Sequence, residues 1–343
     1  MKQSFFDLSY SDLINIFLIT DLNPTGASLI FNHIYKKKKL FGPIHNLSKK
    51  SYEYLQENYN FDLPEIITVS KAEDKTVKFL FKLHDKKTIE TVLIPFNGKY
   101  TICLSSQVGC AMKCSFCFTG TQGLKRNLGT SEIIGQYLVA QKWLTEHRPQ
   151  DNIISNIVFM GQGEPLHNFD SVKKACEIFL CNHGSSIGHQ KITISTSGFI
   201  PGLKRWNEEM PGVNLALSLH SPFTDKRNEL IPLNKKYPLS EVMEYIDQII
   251  LAKKQFITYE YLLIDNFNDS YEDAIETGKL LEGKSAYINL IPFNPFPGTE
   301  YKRSSEEKIK NFKVVLDTFK IPTLIRITKG DKVLAACGQL NTI

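Results

Sequence analysis

The feature that most limits the fold is a regular alternation of strand-like and helix-like runs, which begins near Tyr100. The strand-like runs are Thr101–Leu104, Ile153–Met160, Lys191–Ser195, Val213–Leu219, Phe256–Leu262, Ala286–Ile291 and Thr323–Ile327. The helix-like runs between them are Ser131–Trp143, Ser171–Leu180, Ser240–Ala252, Tyr271–Leu281 and Ser305–Phe319. Strands that alternate with helices form parallel sheets. We therefore predict an α/β protein whose core is a whole or partial barrel, with its chemistry at the carboxyl ends of the strands.

The first 95 residues follow a different pattern and predict two smaller units. Helical periodicity comes first, together with the basic run Lys36–Lys39, and a β-rich stretch that contains Glu90 follows. We predict a helical accessory domain over 1–60, a small antiparallel β linker domain over 61–95, a core over 96–330 and a C-terminal segment over 331–343.

Composition and charge are those of an ordinary globular chain. The 343 residues are 42% hydrophobic and 22% charged, with a formal net charge of +5. Because no apolar run is long enough to span a bilayer and the N-terminus lacks a secretory pattern, we expect a cytoplasmic protein. Cysteines in such a compartment serve thiol chemistry, metal binding or packing. The mild positive charge is compatible with a polyphosphate partner but does not by itself indicate one.

Three cysteines lie within eight residues in the spacing C-x3-C-x2-C, at Cys110, Cys114 and Cys117. A loop of this kind can direct three thiolates at one point, and no fourth ligand lies nearby in the sequence. Three thiolates suit an iron–sulfur cluster with one iron left open to a substrate, and three protein ligands also suit a catalytic zinc. A disulfide is the poorest interpretation because the number is odd.

The chain resembles the radical S-adenosylmethionine (SAM) superfamily, and within it the RlmN type of adenine-carbon-2 RNA methyltransferases. The cysteine spacing, with the aromatic Phe116 before the last cysteine, is typical of the superfamily. The motifs shared with the RlmN type are Ile89-Glu-Thr-Val, Cys103-Leu-Ser-Ser-Gln-Val-Gly-Cys110, Gly123-Leu-Lys-Arg-Asn-Leu128, Gly163-Glu-Pro-Leu, Ser195-Thr-Ser-Gly, Ser218-Leu-His, Asn294-Pro-Phe-Pro-Gly298 and Ala335-Ala-Cys-Gly-Gln-Leu340.

The resemblance implies a partial (β/α)6 barrel, one [4Fe-4S] cluster and SAM. It assigns the cluster to Cys110, Cys114 and Cys117. It assigns SAM binding to Gly163, Glu164, Ser195, Ser218, Leu219, His220 and Asn294. The implied partners are 23S ribosomal RNA, transfer RNA, an electron donor and a thiol reductant, and we expect the protein to act as a monomer.

The resemblance also implies a reaction that uses two further cysteines. One SAM methylates Cys337, and a second is cleaved to a radical that takes a hydrogen atom from the new methyl group. The resulting carbon radical adds to the adenine, an electron and a proton then leave, and Glu90 accepts the proton. Cys103 then attacks the sulfur of Cys337, which forms a disulfide and frees the methylated base. The adenine must leave its stack to reach Cys337.

Two alternatives stay open at the level of sequence. A sister group, the Cfr type, methylates carbon 8 of the same ribosomal adenine and confers antibiotic resistance. An RNA-binding protein with three cysteines on a structural zinc is the other. The chain also departs from the RlmN pattern in three ways: Phe118 follows the last cluster cysteine, Gln162 stands where methionine is usual, and only six residues follow Cys337.

Overall fold

The computed structural model describes residues 2–253 and 255–342 and has a ten-stranded mixed sheet at its centre. The strand order is β14-β13-β12-β11-β10-β9-β6-β5-β4-β3. Its parallel strands are β6 (Lys99–Cys103), β9 (Ile154–Phe159), β10 (Ile192–Thr196), β11 (Asn214–Ser218), β12 (Ile257–Leu263), β13 (Ala286–Pro292) and β14 (Thr323–Ile325). These are the seven strands expected from the sequence, and the α/β fold of a partial barrel is confirmed.

Helices follow the strands and cover the sheet. They are α4 (Phe118–Thr121), α5 (Thr130–His147), α6 (Phe169–Leu180), α7 (Ile200–Glu209), α8 (Thr224–Leu230), α9 (Leu239–Asp247), α10 (Tyr271–Leu281) and α11 (Glu306–Thr318). The predicted helix over 240–252 ends early, at Asp247. Within the described ranges, no helix has the length and apolar composition of a membrane span.

Three helices of the core were not expected from the sequence: the single turn α4, and the longer α7 and α8. Helix α7 contains Pro201-Gly202, a pair that usually signals a turn. Pro201 lies in the first turn, where its missing N–H costs nothing. Gly202 is there for packing, because a Cβ atom on it would lie 2.5 Å from Cβ of Leu166. Tertiary packing thus converts an apparent breaker into a helix start.

The parallel sheet is extended on one side by three antiparallel strands. They are β3 (Glu65–Lys71), β4 (Val77–Lys82) and β5 (Thr88–Phe96), and β5 pairs with β6. Glu90 on β5 is therefore inside a continuous sheet and is 4% exposed. Val92 is the cross-strand partner of Cys103. Because side chains two apart share a face, Glu90 and Cys103 lie on the same side of the sheet.

The N-terminal part packs as short helices against the rest of the molecule. It contains β1 (Gln3–Ser4), α1 (Tyr10–Ile19), α2 (Thr25–Phe31), a π-helical turn (Asn32–Lys36), α3 (Lys49–Asn58) and β2 (Tyr59–Asn60). Strands β1 and β2 pair in parallel, which brings the start of this part beside its end. The remaining short strands, β7 (Gln107–Val108) and β8 (Arg126–Asn127), form an antiparallel pair on either side of the cysteine loop.

The C-terminal segment lies across the sheet face that carries Glu90 and Cys103. The Lys78 side chain donates to the carbonyl of Leu334 at 3.1 Å. Farther along, the hydroxyl of Thr119 donates to the carbonyl of Leu340 at 2.7 Å. These bonds from two different parts of the core bring the residues around Cys337 back over the strand ends.

Candidate active site

The carboxyl ends of neighbouring strands meet around one open cavity. The cysteine loop follows β6, the Gly161–Pro165 turn follows β9, and the ends of β10, β11 and β12 complete the wall. The lining residues that the sequence singled out are Cys110, Cys114, Cys117, Gly163, Glu164, Ser195, Ser218, His220 and Cys337. Parallel strands bring these segments together because their carboxyl ends share one edge of the sheet.

The cysteine loop is held by close backbone contacts. The N–H of Cys110 donates to the carbonyl of Gly123 at 3.2 Å, which closes the loop just beyond the β7–β8 pair. A Cβ atom on Gly109 would overlap that same carbonyl oxygen, and Gly109 has a φ of 74°. Only glycine fits there. At the far end, the N–H of Cys117 donates to the carbonyl of Cys114 at 3.2 Å.

Burial disfavours negative charge on all three loop thiols. It raises the pKa of Cys110 to about 12 and the pKa of Cys114 well above its usual range. The pKa of Cys117 is raised for the same reason. The charges of the neighbouring loop cysteines add to the effect. Thiolates held together in this way need a bound cation, because metal ligation replaces the protons.

The donor set therefore fits an iron–sulfur cluster: three thiols on one short loop face one cavity. Among residues 2–253 and 255–342, no group of three or more His, Cys, Asp or Glu side chains has the arrangement of a metal-ion site. The assignment of these cysteines as ligands consequently depends on their shared cavity and on the sequence resemblance, and not on preformed coordination geometry.

Gly163 and Glu164 form the turn that lines the cavity after β9. Gly163 has a φ of 104°, and a Cβ atom there would lie 2.6 Å from Cβ of Gln107. The Glu164 carboxylate is 3% exposed and accepts two bonds from Ser197, from its N–H at 2.9 Å and its hydroxyl at 2.7 Å. Burial raises the pKa of Glu164, and the bonds from Ser197 oppose that rise.

His220 ends the wall at β11 with its ring held by the backbone. The N–H of Leu262 donates to Nδ1 of His220 at 3.1 Å, so the neutral ring carries its proton on Nε2. Burial, reinforced by the charge of Arg227, lowers the pKa of His220 to about 3. The ring is neutral at physiological pH and can donate a hydrogen bond into the cavity. Phe116 of the cysteine loop meets it edge-on, with ring centroids 4.6 Å apart.

Two predicted SAM-binding residues do not line this cavity. Leu219 is fully buried beside it, and its N–H donates to the carbonyl of Glu260 at 3.0 Å. Asn294 is 3% exposed and donates from Nδ2 to the carbonyl of Cys337 at 3.2 Å. In this structure Asn294 therefore anchors the C-terminal segment.

Two cavity residues escaped the sequence analysis, Glu260 and Arg326. Glu260 is 4% exposed on β12, and burial raises its pKa. One of its oxygens accepts from Asn289 at 2.8 Å, while the other lies 3.8 Å from Nη1 of Arg326. A signal was available, because Glu260 interrupts the otherwise apolar and aromatic half of β12, Tyr259–Leu263. A charge inside a buried strand is rare without a role.

Cys103 is buried under the C-terminal segment that carries Cys337 to the cavity. Cys103 is 6% exposed at the end of β6 and packs with Ala335 and Leu340 of the C-terminal segment. Burial raises the pKa of Cys103 to about 12, and negative charge on Cys337 adds to the effect, whereas Arg326 opposes it. Cys337 faces the same cavity as the three loop cysteines.

Glu90 lies on the same face of the sheet as Cys103 and outside the lining of the cavity. Its carboxylate contacts Nζ of Lys78 at 2.8 Å and accepts from the N–H of Asn341 at 2.8 Å. Burial raises the pKa of Glu90, and Lys78 partly offsets the rise. Its backbone is held by Gln162, whose Oε1 accepts from the N–H of Glu90 at 3.0 Å. Gln162, which stands where methionine is usual in the RlmN pattern, thus holds the strand that carries the Glu90 carboxylate.

We expect Cys103 to resist alkylation in the folded protein. With a pKa of about 12, about one thiol in ten thousand is ionised at pH 8. Iodoacetamide labelling of the metal-free protein followed by peptide mass spectrometry measures this. Cys337→Ala should shift the reaction of Cys103 to lower pH, because it removes a neighbouring negative charge. Cys181→Ala is the control and should change nothing, and labelling of Cys103 at the rate of a free cysteine would contradict the expectation.

Comparison with known proteins agrees with this geometry. The Radical SAM superfamily model matches residues 104–278. A probable dual-specificity RNA methyltransferase RlmN from Dictyoglomus thermophilum is 41% identical over 318 residues, covering 92% of this chain and 90% of the relative. The protein of the same name from Fervidobacterium nodosum is 39% identical over 346 residues and covers 99% and 98%.

A solved structure extends the likeness to the whole fold. The crystal structure of a radical SAM methyltransferase from Sphaerobacter thermophilus is 34% identical, with a TM-score of 0.89 over 99% of each chain. Identity at this level over nearly the full length, together with three cysteines facing the cavity at the strand ends, leaves one conclusion. The chain belongs to the RlmN family of radical SAM RNA methyltransferases.

Proposed function

We propose that this protein methylates carbon 2 of an adenine in 23S ribosomal RNA and in transfer RNA, with Cys337 as the carrier of the methyl group. One observation carries the proposal. Cys337 lines the cavity of the three loop cysteines, and a charge on it raises the pKa of the buried Cys103. A pair of thiols, Cys103 and Cys337, next to the three loop cysteines is what this chemistry needs, and simple SAM-dependent methylation needs neither of the two.

The family implies a [4Fe-4S] cluster and SAM. We assign the cluster to Cys110, Cys114 and Cys117. SAM would lie against Gly163, Glu164, Ser195, Ser218 and His220, with Leu219 and Asn294 supporting that wall from behind. When bound, the cluster and two molecules of SAM per turnover supply a methyl group and the one-electron chemistry that an electron-poor ring carbon requires.

The protein residues then divide the remaining work. Cys337 accepts the methyl group on its sulfur and holds it at the cavity. Once the carbon radical has added to the ring, one electron and one proton must leave, and the oxidised cluster would accept the electron. Glu90 takes the proton from carbon 2, and burial helps because it raises the pKa of the carboxylate. Lys78, at 2.8 Å, keeps Glu90 ionised beforehand.

Cys103 completes the turnover. Its thiolate attacks the sulfur of Cys337 and a sulfur–sulfur bond forms. The bond between that sulfur and the transferred carbon, which is attached to the base, breaks. The electron pair of that bond leaves with the base, which takes up a proton. The two cysteines are oxidised to a disulfide, so an external thiol reductant must restore them. Because burial holds the pKa of Cys103 near 12, the charge of Arg326 is needed to favour its thiolate.

Nucleoside mass spectrometry tests the proposed reaction directly. RNA treated with the reconstituted enzyme, SAM and a reductant under anaerobic conditions is digested and analysed. We expect 2-methyladenosine. A product of 8-methyladenosine would overturn the assignment of carbon 2, and colourless protein that neither cleaves SAM nor modifies RNA would favour a structural zinc instead.

The two thiols have opposite expected phenotypes. Cys103→Ala should leave RNA covalently attached to Cys337, because the carrier still adds to the base but nothing releases it. Cys337→Ala should give no adduct. The measurement is a denaturing gel of anaerobic reactions with labelled RNA, with Cys181→Ala as a control that turns over like the original chain. An adduct in Cys337→Ala would refute its role as carrier.

We further propose that residues 1–60 form the accessory domain that binds RNA. The lysines of the run Lys36–Lys39 are all exposed, at the end of the π-helical turn. Four ammonium groups on a free surface suit phosphate contacts. This run does not line the cavity, so the RNA backbone can contact the lysines while the target base enters the cavity.

Neutralising this run should weaken RNA binding and flatten its salt dependence. Changing all four of Lys36–Lys39 to Gln should reduce the steepness of log K against log salt by roughly 0.7–0.9 for each phosphate that the variant no longer neutralises. Filter binding or fluorescence anisotropy at several salt concentrations measures it. A matched control changes Lys279, Lys310, Lys313 and Lys320 to Gln, which lowers the net charge by the same four units. Equal slopes for both variants would contradict the proposal.

A further inference from the structure

Arg227 is a fully buried cation behind the cavity wall. It lies on α8 and is 0% exposed. Its Nε donates to the carbonyl of Leu219 at 3.1 Å, and its Nη2 donates to the carbonyls of Ser197 and Ser218, both at 3.0 Å. Nη1 donates to Oδ1 of Asn234. Because a guanidinium has five N–H groups, these four bonds leave little capacity for a ligand.

The partners of Arg227 are all neutral. Three are backbone carbonyls and one is an amide, and no Asp or Glu in the described residues contributes to its pKa. Burial lowers the pKa of Arg227 to about 10, which still leaves it charged at neutral pH. A buried charge without a counterion is costly, and natural proteins rarely keep one without a compensating group.

The negative charge that acts on Arg227 comes from the cysteine loop, because a thiolate at Cys114 raises the pKa of the guanidinium and so opposes the effect of burial. The carbonyl of Leu230, one turn after Arg227 on the same helix, accepts from the N–H of Ser115 at 3.1 Å. Ser115 lies between Cys114 and Cys117 in the sequence. The side chains of Leu230 and Ile231 also pack in one cluster with Cys114 and Phe116. The helix that buries the cation is therefore joined directly to the loop that carries the thiols.

We propose that Arg227 is the fixed countercharge of the iron–sulfur cluster and raises its reduction potential, while it also ties together the ends of β10 and β11. This inference rests on the proposed ligation of the cluster by Cys110, Cys114 and Cys117. Reduction adds one negative charge to a cluster that already carries three thiolates. A nearby buried cation favours the reduced form, since net charge and solvent exposure set the potential of such centres.

Arg227 is therefore a positioning residue and does not touch the substrate. Ser197 bonds to both buried charges: its carbonyl accepts from Arg227, and its N–H donates to the Glu164 carboxylate. If Arg227 had only a structural role, it would hold these carbonyls in place and would have no effect on the reduction potential of the cluster. The electrostatic role adds an effect on the cluster that can be measured without RNA or turnover.

The test is a redox titration of the reconstituted protein, followed by electron paramagnetic resonance of the reduced cluster. Arg227→Gln removes the charge, and Asn234→Asp keeps the guanidinium but places a carboxylate against it. Both should lower the equilibrium constant for reduction by about tenfold, which is about 59 mV for one electron. Arg227→Lys keeps a charge and should stay close to the original potential. Arg205→Gln removes a half-exposed surface cation as the matched control and should not shift it.

Each outcome decides the inference. If Arg227→Gln takes up too little iron to titrate, Asn234→Asp decides, because it leaves Arg227 in place. Unchanged potentials in Arg227→Gln and Asn234→Asp, or equal shifts in Arg227→Lys and Arg227→Gln, would overturn it. Absence of any cluster signal in the original chain would instead count against the proposed ligation, so the two failures are distinguishable.

Discussion

The structure depends on the antiparallel pairing of β5 with β6. That pairing joins the N-terminal β extension to the parallel sheet and puts Glu90 and Cys103 on one face. The C-terminal segment then has a surface to cover, and its hydrogen bond from Asn341 to the Glu90 carboxylate holds it there. Asn294 and Thr119 hold the same segment from the core side, so Cys337 becomes the fourth cysteine that lines the cavity.

The buried charged side chains around this site differ in whether they have a partner of opposite charge. The acids Glu90 and Glu260 each have a cation close by, Lys78 and Arg326 respectively. No acid among the described residues contributes to the pKa of Arg227, and the only charge that raises it is that of Cys114 in the cysteine loop. A protein interior penalises each of these groups, so their retention in one small region indicates a shared task. The pattern fits a site that moves electrons and protons where water cannot screen them.

Much of the fold was readable from hydrophobic pattern. All seven parallel strands were expected, and α10 has the predicted bounds Tyr271–Leu281, because Ser270 and Asp273 form a capping box there. Helices α7 and α8 were missed for opposite reasons. The first begins with a proline and glycine whose packing cannot be read locally, and the second is short and polar around a buried arginine. The family match had already named the site residues, but Glu260 and Arg326 stand outside its motifs.

The sequence by itself determined the alternation that makes an α/β sheet and the spacing of the three loop cysteines. Local periodicity and loop length are enough for both, since each depends on residues close in the chain. Only the tertiary structure decided that Cys337 faces the cavity beside Cys103, that Asn294 anchors the C-terminal segment, and that Arg227 is buried without an acid. These contacts join residues far apart in sequence, and burial, which sets their charge and pKa, exists only after the chain has packed.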